Sequence, residues 1–328
     1  LIDNSPKNIH FIFITSTYYP FDEAKYKMTR NFVEVSSYEL RADLKFIKQI
    51  SKTIYTHSLS DKIAVNILEK TEGWITGVHI LLQAITKGMD LNNEENISKT
   101  MNDFFNRMVL NELGKKYQQV LALSAIFDSF SLSMLKSLFK GIDVKYLIEL
   151  LTSKFGFAIK YDGNSNFTYL DFFREFLLKK LPEICNSGKT KQTYLAAAAF
   201  HKKNNNIEES INYLLIAEEY SKAVTSIAKN APALTRAGDY HVIDKWLQKI
   251  PDEIYEKHPF LFFYKGFMYQ TFYGNMADAV QFYEKCIKNR KAVAEEFFVK
   301  SNCYIAEILT NKGEVSKALS RLQKIKIL

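Results

Sequence analysis

The sequence predicts a mainly α protein whose C-terminal half is a solenoid of stacked helix-turn-helix units. The first observation is one pattern that recurs four times: a small or turn-forming residue, a small or aliphatic one five positions on, and apolar residues at nine and twelve. The sets are Asn205/Ser210/Leu214/Ala217, Gly238/Ile243/Leu247/Ile250, Gly274/Ala279/Tyr283/Cys286 and Gly313/Ala318/Leu322/Ile325. Their anchors lie 33, 36 and 39 residues apart, the period of helical-hairpin arrays in which no pair buries its apolar face alone. The second observation is helical spacing elsewhere, as at Trp74, Gly77, Val78, Leu81, Leu82 and Ile85, which fall on one stripe. The third is that β-like runs are few and short.

Taken in order, His10 to Thr15 is an unbroken run rich in Phe and Ile that ends at Ser16, Thr17 and Pro20, the pattern of a strand buried on both faces. A lone strand needs partners, so it is expected to finish a parallel sheet begun upstream. Residues 32–35 form a second expected strand, and a helix is expected over 40–53. Ser60 and Asp61 cap the next helix. Gly73 marks a break between helices and Gly77 a close contact, since glycine inside a helix costs about 1 kcal/mol. The polar stretch 89–98 reads as an exposed connection. Residues 101–152 give three helical patterns, followed by two β-like runs, 155–161 and 166–170, around the turn signal Asp162-Gly163-Asn164-Ser165. Helices followed by a hairpin imply a winged-helix module. A helix over 171–180 closes it, and Pro182 with Asn186-Ser187-Gly188 separates it from the repeats.

Composition narrows the function. With 47% apolar and 14% aromatic residues among 328, the chain has ample material for two or three packed domains. A net charge of +8 rests on 44 basic residues of which only seven are Arg. Nucleic-acid readout leans on Arg forks, so a solvated lysine surface accounts for the charge. Three cysteines, Cys185, Cys286 and Cys303, show no CxxC spacing, so neither a disulfide framework nor a zinc site is indicated and a reducing, cytoplasmic setting is expected. The longest apolar runs fall short of the roughly 18 residues a membrane helix needs. Leu1 is not Met, and Leu322 to Leu328 break off inside a helical pattern, so a piece of a longer protein is expected.

No catalytic constellation emerges. Gly188-Lys189-Thr190 imitates the end of a phosphate loop, but position 183, where GxxxxGK[ST] needs its first glycine, is Glu, and a helix precedes it where a strand belongs; it reads as a polar linker. The six histidines are scattered without metal or nucleophile spacing. Neighbouring carboxylates such as Glu208-Glu209 do not face each other on a helix. The aromatic cluster Phe260, Phe262, Phe263, Tyr264, Phe267, Tyr269 and Tyr273 is denser than one buried stripe requires. Two readings stand: a ligand floor on the concave side, carried by Phe263, Phe267, Tyr269 and Tyr273, or packing between repeats.

Collinear segments carry a resemblance: Ile12 to Thr17 with Pro20, Thr71-Glu-Gly-Trp-Ile-Thr-Gly-Val78, Leu121 to Ile126, Phe167-Thr-Tyr169 after the hairpin, and repeats with Trp246-Leu247 and Ile250-Pro251. Together they resemble the large LuxR-family transcriptional regulators of the maltose-regulon-activator (MalT-like) type, which are signal-transduction ATPases with numerous domains (STAND). The resemblance implies a remnant α/β NTPase strand (residues 1–35), a helical lid (36–95), a winged-helix domain (96–185) and TPR-like superhelical repeats (186–328). It implies ATP or ADP with Mg bound mostly outside these residues, with Ser16, Thr17, Gly73, Trp74 and Leu170 near the nucleotide. Thr17 stands where the family has Arg, and Leu170, followed by Asp171 instead of Pro, stands where it has a His that contacts ADP. The implied role is effector sensing: a small molecule or protein on the superhelix changes the nucleotide state, the active state self-associates, and a C-terminal domain outside this segment meets DNA and RNA polymerase. The rival is a TPR-like protein-interaction scaffold with a degenerate, non-cycling NTPase remnant. The segment itself carries no catalytic or metal residues, and any slow ATPase activity belongs to the full-length protein.

Overall fold

The structure, a computed structural model, describes residues 2–6, 8–14, 23–28, 32–33, 35, 39–90, 93–153, 159–161, 166–288 and 293–326. Two compact units divide the chain, residues 1–190 and 191–328.

In the first unit a short helix, α1 (Glu23–Met28), precedes α2 (Leu44–Ile54), α3 (Asp61–Thr71), α4 (Ile75–Thr86) and α5 (Glu94–Phe105). Three of these starts, those of α2, α3 and α5, have a local cause. Asp43 accepts the Phe46 amide at 2.7 Å, Ser60 accepts that of Ile63, and Asn93 accepts that of Glu95, so short side-chain oxygens satisfy helix-start donors that lack intrahelical partners. Ile47, Ile67, Val78, Leu81 and Phe105 are buried completely. The polar stretch 89–98 is therefore only partly a connection, because helix begins at Glu94 and buries Ile97. Gly77 is a close contact, as a Cβ there would lie 2.5 Å from Trp74 Cε3.

The expected N-terminal strand is not found among the described residues. His10–Ile14 takes neither helix nor strand, and Ile12 and Ile14 are 89% and 97% exposed. Residues 32, 33 and 35 likewise lie in no strand. A strand is stabilised by its ladder partners, and among the described residues none lies beside this segment. Ser16, Thr17 and Pro20 lie outside the described residues.

After α5 the chain passes through a π-helical turn (Asn106–Leu110) into α6 (Lys115–Ser124), β1 (Phe130–Ser131), α7 (Leu132–Leu138), α8 (Val144–Ser153), β2 (Ile159–Tyr161), β3 (Asn166–Tyr169) and α9 (Asp171–Ile184). The strands form one antiparallel sheet in the order β1-β3-β2, with Phe130 opposite Phe167 and Ile159 opposite Tyr169. This is the winged-helix arrangement with its hairpin, whose tip at 162–165 lies outside the described residues. β1, two residues long, escaped the sequence reading. Tyr169 ties sheet to helix: its hydroxyl bonds Ser124 Oγ at 2.6 Å in full burial, and burial pushes its phenol well above the usual range. Pro182 does not separate this region from the repeats, since it lies inside the last turn of α9. Only Cys185 and Asn186 separate α9 from α10 (Ser187–Lys203). Gly188-Lys189-Thr190 is the first turn of that helix, with the Lys189 amide donating to Asn186 Oδ1 at 2.9 Å.

The second unit is the solenoid. After α10 come α11 (Ile207–Ile216), α12 (Tyr220–Ala237), α13 (Tyr240–Leu247), a short α14 (Asp252–Lys257), α15 (Phe260–Thr271), α16 (Met276–Lys288), α17 (Glu295–Asn311) and α18 (Val315–Lys326). The hairpins α10–α11, α12–α13, α15–α16 and α17–α18 are the four units anticipated from the repeats. Their anchors all occupy the turn between helices in the left-handed region: Asn205 at φ 57°, Gly238 at 83°, Gly274 at 67° and Gly313 at 78°. Only glycine, and less readily Asn, takes that conformation without strain. The fifth-position residues Ser210, Ile243, Ala279 and Ala318 are buried, where close helix approach needs them. The ring of Tyr283, fully buried, lies over Gly266, whose added Cβ would sit 2.8 Å from it. It also stacks on Tyr304 of the next hairpin, centroids 5.6 Å apart at 8°, so each hairpin completes its neighbour's core. Leu322, in the place of Tyr283 one repeat on, is 39% exposed, because no described helix follows α18.

Candidate functional site

Two places merit attention, one in each unit. The first is a joint where four segments of the first unit converge. At the end of α3 the backbone turns through Glu72 (φ 47°) and Gly73 (φ 75°), both left-handed. Gly73 is required here twice over, by its φ and by space, since a Cβ would lie 2.5 Å from the Ala42 carbonyl oxygen. Its own carbonyl accepts the Ala42 amide at 2.7 Å. Glu72 reaches in two directions: its Oε1 accepts the Asp171 amide at 2.9 Å, and its Oε2 lies 3.6 Å from an Arg41 guanidinium nitrogen. Leu170, at the N-cap position of α9, offers no side-chain cap, so Glu72 supplies an acceptor from 99 residues away.

Trp74 closes the joint by packing. Its ring stacks on Phe172 at 5.9 Å and 13° and on Phe105 at 6.2 Å and 19°, with Phe104 tilted against it at 5.6 Å. Gly73, Trp74 and Leu170, singled out in the sequence, thus meet at one place, while Ser16 and Thr17 are outside the described residues. Glu72 and Arg41 were missed. No sequence period marks a carboxylate that caps a distant helix, and a left-handed Glu has no composition signal.

These residues do not fit a nucleotide phosphate. Leu170 is apolar and 1% exposed, the neighbouring helix-start amide is taken by Glu72, and the nearby Arg41 faces that same carboxylate. Among the described residues no three His, Cys, Asp or Glu side chains converge to hold a metal ion. No helix among the described residues is long and apolar enough to cross a membrane.

The second place is the aromatic face of the repeats. The structure corrects the ligand-floor expectation for two of its four residues. Phe263 and Phe267 are 5% and 7% exposed and belong to the core between hairpins. α15 packs against α13, α14, α16 and α17, and a helix covered on all sides is apolar all round. Tyr269 is half-buried against Phe282 at 4.9 Å. Tyr273 is 47% exposed and donates to Asp244 Oδ2 at 2.6 Å, a bond that, with burial, raises its phenol above the ordinary value. Asp244 also accepts from Gln248 at 2.6 Å. Lys265 sits over the rings of Tyr255 and Phe282 at 4.8 and 5.0 Å, where a cation meets the negative ring faces. What remains outward is a shelf of Tyr269, Phe272 and Tyr273 beside one carboxylate.

A winged-helix region with helices before it and a TPR-like solenoid after it define the class of fold. Among solved structures, the chain is similar to a Signal Transduction ATPase with Numerous Domains (STAND) protein with a tetratricopeptide repeat sensor from Pyrococcus horikoshii, with a TM-score of 0.50 and 16% identity over 88% of this chain. The match spans 41% of that protein. At this identity the likeness is one of fold. No protein-family profile and no curated protein sequence matches the chain.

Proposed function

We propose that these 328 residues are the regulatory, effector-sensing portion of a STAND-type switch, in which a small molecule or protein held on the superhelix biases the state of a nucleotide-binding module. The observation that carries the reading is the joint: helical layer, winged-helix region and the Gly73-Trp74 turn are tied by a long-range cap and a stacked aromatic set, placed ahead of a repeat array that has a partly exposed aromatic shelf. Arrays of this kind bind partners along their extended surface. In this reading residues 36–95 are the lid, 96–185 the winged-helix domain and 186–328 the sensor. The finer reading, a MalT-like transcription activator of the LuxR family, rests on the collinear segments of the sequence. It assigns the P-loop, Mg²⁺, DNA and RNA polymerase contacts to residues outside this segment.

The burial of Leu170 favours the scaffold as second reading, because an apolar side chain in the place of a nucleotide-contacting histidine leaves less to sense ADP. The two separate by linkage. Coupling of effector to nucleotide amounts to about 1–3 kcal/mol, a factor of roughly 5–150 in affinity, and is reciprocal. Thermal-shift screening of the chain against sugars, nucleotides and peptides identifies a ligand, which at about 100 times its Kd adds about 2.7 kcal/mol. Its affinity for the full-length protein is then measured with ADP and with ATP-Mg. A switch shows a difference of fivefold or more; equal affinities leave the scaffold.

A further inference from the structure

We propose that Glu72 is a latch that fastens the start of α9 to the turn between α3 and α4, and so makes the winged-helix region and the helical layer before it one mechanical body while it is closed. The inference deepens the regulatory reading above and rests on it only for what drives the latch; whether the latch exists is independent of nucleotide.

Three observations carry it. The first is conformation: Glu72 holds φ 47°, a left-handed region in which a residue bearing a Cβ is strained. Such a residue persists when its surroundings fix it, and here its side chain is only 18% exposed. The second is the division of labour at the carboxylate. One oxygen accepts the Asp171 amide at 2.9 Å and the other faces Arg41 at 3.6 Å, so a single group joins three segments remote in sequence. The third is need. Leu170 provides no cap, leaving the first amides of α9 dependent on an outside acceptor, and the adjacent Phe172 ring lies flat on Trp74 two residues after Glu72. Cap and stack therefore act on the same two ends, and both break together if the segments part.

Hydrogen exchange of the whole 328-residue chain, without nucleotide, tests this. Glu72→Ala is expected to raise exchange in a peptide spanning 171–174 by about fivefold or more, the loss typical of removing a helix cap, while the core of α6 is unchanged. Glu72→Gln keeps an acceptor and is expected to retain most protection. Glu72→Gly relieves the left-handed strain but removes the carboxylate, so it should exchange like Glu72→Ala at 171–174 even if it is the more stable protein. Exchange at 171–174 within twofold of wild type in Glu72→Ala overturns the latch, and so does a rise of equal size throughout α2, α6 and α9. A separate arm compares ADP with ATP-Mg in the full-length protein. No nucleotide effect there, with the Glu72 results as expected, removes the regulatory reading and leaves the latch standing.

Discussion

The two units solve the same problem, holding helices together, in different ways. In residues 191–328 cohesion is repetitive. Every hairpin turns through a left-handed anchor, every fifth position is buried, and aromatic rings such as Tyr283 and Tyr304 carry the core from one hairpin to the next. In residues 1–190 cohesion depends on single, unrepeated contacts between segments far apart in sequence: Glu72 with Asp171, Ser124 with Tyr169, and Arg174, whose Nε donates to the Ala125 carbonyl at 2.9 Å. The difference teaches where each unit is vulnerable. A repeat array spreads its stability over equivalent interfaces, whereas a joint concentrates it in a few groups.

The largest effect should come from breaking the array at its ladder. Tyr283 is fully buried, stacks on Tyr304, and donates to Gln270 at 2.8 Å. Tyr283→Ala is expected to cost about 3–5 kcal/mol, the usual toll of emptying an aromatic site. The two tryptophans fall one in each unit, so Trp246 emission in a Trp74→Phe background follows urea unfolding of the repeats directly. A loss below about 1 kcal/mol would mean that the ring-to-ring contact between hairpins does not carry the array.

A smaller effect sharpens the contrast between kinds of glycine. At Gly77 the backbone is helical but space is lacking, the added Cβ meeting Trp74 Cε3 at 2.5 Å and Thr71 Cγ2 at 3.0 Å. At Gly238 nothing lies within 4 Å, but φ is +83°. Gly77→Ala should therefore cost about 1–3 kcal/mol through overpacking, partly offset by better helix propensity. That cost should disappear when Trp74 is also Ala, a coupling that a double-mutant cycle followed by circular dichroism measures. Gly238→Ala should cost about 1 kcal/mol whatever its neighbours are. An additive Gly77/Trp74 pair would remove the steric account.

The same contrast explains what could be read from the chain. The repeats were legible because a left-handed turn and a tight helix crossing each restrict residue type, and four copies raise the pattern above chance. Gly77 and the Ser60 cap were legible for the same local reason. What escaped was non-local. Glu72 caps a helix 99 residues away, Phe130–Ser131 becomes a strand only because Asn166–Phe167 lies beside it, and Phe263 and Phe267 became core because α15 has neighbours all round. The Phe and Ile run at 10–14 is the converse case: its composition is that of a buried strand, yet Ile12 and Ile14 stand exposed. Periodicity states which face is apolar, not what covers it.

The smallest effect concerns a group for which the repetitive unit makes no provision. His201, near the end of α10, packs 5.4 Å from the Tyr213 ring, and its Nε2 is buried with no hydrogen-bond partner among the described residues. Burial lowers its pKa below 6.5, with the charge of Glu209 opposing. Below pH 6.5 the unfolded chain then binds more protons at this site than the folded one, so stability falls as pH drops through that value and is regained above it. Glu219 and Glu314 are held below 4.5, chiefly by hydrogen bonds from Lys222 and Lys317, so their contributions fade only as pH falls below about 4.5. Urea midpoints of the repeats, read from Trp246 at pH 7.5 and 5.5, should fall on acidification in the wild type and much less in His201→Phe. Equal slopes in the two proteins would show that the imidazole gains a partner when protonated, and that even this buried nitrogen is provided for.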